Sequence, residues 1–298
     1  MKKILLLIFI AGLNFSLYSQ ELEDILDQEA PDYTTITTGT FNGTRIMNGH
    51  SVETRKKGIL EFVISHRFGR INTGIYELFG LDNSNIRFGF EYAIIDDLTI
   101  ALGRSSFEKT YDSYLKYRLL KQKTGAEDFP ISLTLFGSAT VKTLRDYEPE
   151  DEPPFIDRLT YTTQILLARK FSPDFSLQIM PTYIHFNTVP TTEDPNDLFA
   201  IGIGARIKIS KRISINGEYY YTINPFTSVT TYNSIALGVD IETGGHIFQL
   251  IFTNSRSMLE KGFIAETTGN FFEGDIHFGF NISRAFQVKK PKEKNKLY

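Results

Sequence analysis

The sequence predicts an all-β protein: an antiparallel transmembrane β-barrel of about 12 strands, of the outer-membrane type. Three observations predict it. Apolar and polar residues alternate with a period of two in stretch after stretch, and the connections between those stretches alternate between tight and long. After the first twenty residues, no apolar run approaches the roughly 20 residues that a membrane-crossing helix needs.

The elements follow in order. Lys2 and Lys3 precede the apolar run ILLLIFIAG and a polar stretch ending in LYSQ, which predicts a secretory signal over 1–19 cleaved after Ser19. Residues 20–58 form an acidic N-terminal segment and lead-in. Its first part, QELEDILDQEAPDY, has too few apolar residues to bury and predicts a mobile mature N-terminus.

The barrel itself is predicted over 59–286. Leu60, Phe62, Ile64 and Phe68 share one face, opposed by Glu61, Val63, Ser65 and Arg67. In NIRFGFEYAI (85–94), Ile86, Phe88, Phe90, Tyr92 and Ile94 oppose Arg87, Gly89, Glu91 and Ala93. The same period runs through 98–105, 111–120, 131–142, 159–171, 175–183, 198–209, 213–223, 232–242, 246–253 and 275–286. Pro181 implies a bulge or an edge-like break, because it has no N–H for the ladder. Arg169 falls on the outward face near a strand end, where its long stem can carry the charge to the interface. Most stretches have close to the 9–11 residues, roughly, that a tilted spanning strand requires.

The turns IDD, SPD, SKR and TGG are short and carry hairpin chemistry, while the intervening connections are longer. Only KQKTGAEDFP (121–130) is long where a short turn is expected. This rhythm suits a barrel with short periplasmic turns and longer external loops, and an even strand number returns both ends of the barrel to the periplasm. Each strand taken alone also fits a soluble periplasmic barrel or sandwich. Residues 287–298 form a basic C-terminal tail.

Composition narrows the function. Lys plus Arg number 32 against 35 Asp plus Glu, a net charge of −3, so nothing favours nucleic acid as a partner. With no Cys, the chain has neither disulfides nor thiolate metal sites. The 25 Phe and 15 Tyr favour strands.

The strings TRIMNGHSVE (44–53), GILEFVISHRFG (58–69), FGLDNSNIRFGFEYAIIDDLTIALGRS (79–105), HIFQLIFTNSRSMLEKGFIAETTG (246–269) and GDIHFGFNISRAF (274–286) resemble a β-barrel family of Bacteroidota-type bacteria, domain of unknown function 5777. The resemblance spans about 44–286 and implies a secreted barrel of the Gram-negative cell envelope. It implies no activity and no catalytic residue.

With the apolar face outward, the candidate lumen-lining residues are Glu61, Arg67, Arg87, Glu91, Lys116, Arg118, Arg206, Glu218 and Asp240, joined by Asp112, Lys170 and Lys208. Such charges call for a water-filled lumen or for a bracing network of ion pairs. The loop 254–274 is too apolar for an idle solvent loop: it folds inward as a constriction, with Met258, Phe263, Phe271 and Phe272 as candidate constriction residues, or covers the barrel mouth, or packs outward against a neighbouring subunit.

The five His show no metal-ligand spacing, and adjacent Ser65 and His66 point to opposite faces of a strand, so they cannot act together. The acidic string RDYEPEDEPP lacks a calcium-loop spacing and reads as solvated. No cofactor is called for. The partners implied are the lipid bilayer and small solutes or ions. The expected function is a non-enzymatic outer-membrane channel or uptake conduit, with an apolar-ligand carrier or a plugged structural barrel as alternatives.

Overall fold

The computed structural model describes residues 33–289 except 146, 147, 149 and 150. The predicted signal, the acidic stretch at 20–32, part of the acidic loop and most of the basic tail lie outside the described residues. Twelve strands close into a single antiparallel barrel. In chain order they are β2 (Ile59–Arg70), β3 (Ser84–Ile95), β4 (Leu98–Ser105), β5 (Tyr111–Leu120), β7 (Ser132–Val141), β8 (Leu159–Lys170), β9 (Phe175–Phe186), β10 (Asp197–Lys208), β11 (Ile213–Thr222), β12 (Ser234–Thr243), β13 (His246–Thr253) and β14 (His277–Gln287). The three-residue strands β1 (Thr34–Ile36) and β6 (Lys123–Gly125) pair only with each other. Each barrel strand pairs with its chain neighbours, and β14 closes the ring on β2.

The alternation resolves as lipid-type exterior against polar interior. Phe88 and Phe90 are 42% and 51% exposed, whereas Arg87 and Glu91 between and beside them are 1% and 2% exposed. Aliphatic side chains such as Leu102, Leu115, Ile165, Ile179, Ile203 and Leu250 form the exposed middle of the barrel. Exposed aromatic rings ring its two ends: Tyr111, Tyr161, Tyr183, Phe199 and Tyr221 at the long-loop end, Tyr117, Phe171, Phe175, Phe248 and Phe286 at the short-turn end. An apolar band between two aromatic girdles is what a bilayer selects, because amphipathic rings settle at its interfaces.

Arg169 points outward at the short-turn end, its guanidinium 5.1 Å from the Phe171 ring centroid. Pro181 makes no bulge. The β8–β9 register is the same on both sides of it, with Gln164 opposite Thr182 and Leu167 opposite Ile179, and the ladder lapses only between those pairs. On the other side Pro181 stays paired with Ile201 of β10.

The core lies inside the ring, and the chain itself supplies part of it. Residues 37–58, the second part of the predicted lead-in, enter the lumen from the short-turn end. They turn back at Ile46–Gly49, where the Ile46 N–H donates to the Gly49 carbonyl at 2.9 Å and Arg45 bridges His50. They leave at Gly58, whose N–H meets the Ala93 carbonyl at the start of β2. Phe41, Ile46, Met47 and Val52 of that segment are buried.

The exceptional length of 121–130 also finds its reason here. It carries β6, which pairs with β1 and so anchors the chain on its way into the barrel; Thr37 N–H then bonds the Gln122 carbonyl.

Candidate functional site

A hairpin inside a barrel cannot satisfy its backbone by joining the ladder, so side chains on the wall must do it. At the turn, the Glu218 carboxylate of β11 accepts from the N–H groups of Met47 (3.3 Å), Asn48 (2.8 Å) and Gly49 (3.1 Å). Asn281 of β14 donates to the Met47 carbonyl and Gln249 of β13 to the Ile46 carbonyl, each at 2.8 Å. Arg67 of β2 reaches the Asn48 side-chain oxygen at 2.7 Å.

Along the returning limb, Gln178 of β9 both accepts from Val52 N–H (2.8 Å) and donates to the His50 carbonyl (2.7 Å). Lys116 of β5 donates to the Glu53 carbonyl at 2.6 Å and Arg118 to the Glu53 carboxylate at 2.6 Å. Arg55 forms a two-pronged pair with Glu61, and Arg206 of β10 donates to the Gly39 carbonyl at 3.1 Å.

The wall is also shaped for the hairpin. A Cβ on Gly204 of β10 would stand 2.4 Å from Ile46 Cδ1, so the glycine lets that side chain lie close against the wall. Gly103 of β4 plays a similar part between strands. There the Arg87 guanidinium of β3 crosses to the Asp112 carboxylate of β5, with Nε at 2.9 Å, over a position where any side chain would collide with both partners.

The candidate lumen residues therefore divide by what they hold. Arg67, Lys116, Arg118, Arg206 and Glu218 grip the hairpin directly, Glu61 grips it through Arg55, and Asp240 accepts from Gln249 at 2.9 Å. Arg87 pairs within the wall, and Glu91, directly across from Glu61, carries two buried carboxylate oxygens with no hydrogen-bond partner. Ser65 is buried inward while His66 stacks outside on Phe280 at 4.9 Å, so the two lie on opposite faces.

The loop between β13 and β14 descends from the other end. Met258, Leu259, Glu260 and the π-helical turn Lys261–Ala265 are buried, with Phe263 edge-on to Tyr220 at 5.1 Å. Glu260 meets the hairpin, 3.6 Å from Arg45 and 3.5 Å from His50. His50 is itself packed between Tyr114 and Phe136. Lys261 bonds Glu108 and Glu266, each at 3.1 Å; burial works against its charge, but these carboxylates hold its pKa above the usual lysine value. Two of the candidate constriction residues lie elsewhere: Phe271 is half-buried above the descending segment, and Phe272 is 88% exposed, its ring meeting Phe271. The hairpin was missed as a site, although the Asn48–Gly49 dipeptide following Ile46 and Met47 is a hairpin-turn signal in the sequence.

Two clefts open at the long-loop end. One, of about 440 Å³, lies between the β2–β3 and β13–β14 loops; the other, of about 300 Å³, lies beside Lys261.

A family model described as "Membrane bound beta barrel domain (DUF5777)" matches residues 41–286, a span that takes in most of the hairpin as well as the barrel. No curated protein matches the chain. Among solved structures, the NanC porin is 8% identical, covering 76% of this chain and 98% of its own, with a TM-score of 0.47. The KdgM porin is 8% identical over 76% of this chain and 99% of its own, with a TM-score of 0.45. An outer membrane channel from Pseudomonas putida F1 is 11% identical over 83% of this chain and 100% of its own, also with a TM-score of 0.45. At these identities and scores the likenesses add nothing to what the residues say.

Proposed function

We propose, from the premise that the chain belongs to the DUF5777 family of membrane-bound β-barrel domains, that it is an outer-membrane conduit for small hydrophilic solutes or ions. Its resting lumen is closed by its own chain. On this reading the N-terminal signal delivers it to the envelope, the bilayer is its solvent, and it performs no catalysis.

One observation carries the reading: the hairpin is held largely by charged and amide side chains of the wall, through hydrogen bonds that water can replace. If the hairpin withdraws, that surface becomes a hydrated passage. The dense bonding also supports a second reading, a permanently plugged structural barrel. An apolar-ligand carrier is favoured less, because Ile46, Val52, Phe263 and Ile264 already occupy the apolar interior.

Planar-bilayer conductance decides between the two. The intact protein should be silent, and a variant with residues 40–53 replaced by a Gly/Ser linker should show discrete steps. A linker variant that folds, judged by different gel mobility before and after boiling, yet stays silent would establish the structural barrel. In the conducting variant, Arg87→Glu with Arg118→Glu should shift ion preference toward cations, because lining charge sets that preference; unchanged selectivity would remove these residues from the path.

A further inference from the structure

The larger cleft at the long-loop end carries its own chemistry. Both limbs of the β13–β14 loop, Asn254–Ser257 and Glu266–Gly269, line it, facing Arg70, Thr73 and Glu77 of the β2–β3 loop. Two of its four charges are already neutralised: Arg70 lies 3.2 Å from Asp275, and Glu266 lies 3.1 Å from Lys261. The other two are one of each sign. Arg256 is exposed and, among the described residues, forms no ion pair; its guanidinium stands 5.4 Å from the Phe107 ring centroid. Glu77 likewise has no cationic partner and accepts only a 3.3 Å hydrogen bond from Asn83.

The remaining lining is neutral and rich in hydroxyls and amides, including Thr73, Ser255 and Thr268. His277 contributes an oriented ring, because its Nδ1 must donate to the Phe68 carbonyl 2.8 Å away.

We propose that this cleft binds a small zwitterion of the amino-acid or dipeptide class, with its carboxylate on Arg256 and its ammonium on Glu77. A simple anion would leave Glu77 uncompensated, and a simple cation would do the same to Arg256. A neutral sugar would leave both free. The volume of about 440 Å³ falls within the roughly 300–1,000 Å³ of small-molecule sites. The location matters as well, since the segment between the two lining limbs descends into the lumen and touches the hairpin through Glu260. The inference rests on the conduit reading for its use, naming the class of solute the mouth receives. It is tested by binding alone, so a failed titration and a silent bilayer count against different claims.

The absence of Trp supplies a clean reporter. Phe107→Trp keeps an aromatic face beneath Arg256 and places one indole at the cleft. Titration of the full-length protein in detergent with alanyl-glutamine should give a saturable emission change. N-acetyl-alanyl-glutamine amide, glucose and glucuronate should give none. Adding Arg256→Gln or Glu77→Gln to the reporter should weaken alanyl-glutamine binding tenfold or more. Equal binding of the capped peptide, preference for glucose or glucuronate, or undiminished binding in both charge variants would overturn the proposal. Should the reporter fail to fold, calorimetry on the unmodified chain and on the two single charge variants reads the same quantities, and no heat with alanyl-glutamine would equally overturn it.

Discussion

Two arcs of the barrel wall grip the same hairpin by different means. Strands β2 to β5 turn Glu61, Arg67, Arg87, Glu91, Asp112, Lys116 and Arg118 inward. Strands β7 to β10 turn inward Phe136, Leu166, Ala168, Met180, Ile184 and Leu198, which pack with Phe41, Ile46 and Val52 of the hairpin; their buried cation, Arg206, sits toward the short-turn end. The first arc acts through charge-assisted bonds, strong when made and replaceable by water. The second adds to the polar bonds of Thr134, Gln178 and Arg206 an excluded apolar surface, which water does not replace. On the proposed conduit reading, the path past the hairpin runs along β2 to β5, with the apolar surface of β7 to β10 as the bearing against which the hairpin rests.

The comparison can be broken most sharply at the Arg87–Asp112 pair. Arg87→Met alone leaves a buried carboxylate uncompensated and should cost about 3–5 kcal/mol, whereas Arg87→Met with Asp112→Leu should recover most of it. Urea midpoints of the folded barrel in detergent measure both, and a double variant no better than the single would mean that the charged arc is not held by pairing. On the other arc, Leu166→Ala should cost about 2–5 kcal/mol by opening a cavity. In the linker variant it should leave ion preference where it was; a changed preference would place the path on the wrong arc.

Glu218 sits beyond both arcs and tests the turn. Glu218→Ala strands three hairpin N–H groups, at about 1–3 kcal/mol for each one left dry. Opening bursts in the bilayer recording should follow, without unfolding of the barrel.

The smallest effect expected is outside the membrane, at Asp194 between β9 and β10. Burial works to raise its carboxyl, but hydrogen bonds from Ser228, Thr227 and Thr191 outweigh that and hold it well below the usual carboxylate range. A value depressed on folding contributes stability that is present above the unfolded pKa and lost as pH falls through the folded one. The knot joining loops 187–196 and 224–233 should thus survive mild acid and part only in strong acid. Protease cleavage within 224–233 should be flat from neutral to mildly acidic pH in the parent and raised throughout in Asp194→Ala.

The strands were legible because each residue of a spanning strand meets either hydrocarbon or a polar interior, and that choice alternates strictly along the chain. The inward charges were legible for the same reason. What they touch was not, since the hairpin has no period: Phe41, Ile46, Met47 and Val52 are spaced by the pockets they enter, not by a repeating backbone. A turn signal at Asn48–Gly49 was present, but nothing local says that a turn lies inside a ring closed by residues far along the sequence. Phe272 shows the opposite failure. Apolar character alone left open whether the 254–274 loop turns inward or covers the mouth; the stretch through Ala265 is buried, whereas Phe272 beyond it is exposed.

Both limbs of the hairpin pass through the same opening, so this segment is not threaded through the barrel from one side to the other. The ring can be sealed by β14 meeting β2 while the finger still waits outside, and filled afterwards by a simple slide. The topology thus allows a cylinder to insert first and be stoppered later, without a free chain end having to find its way through a hole.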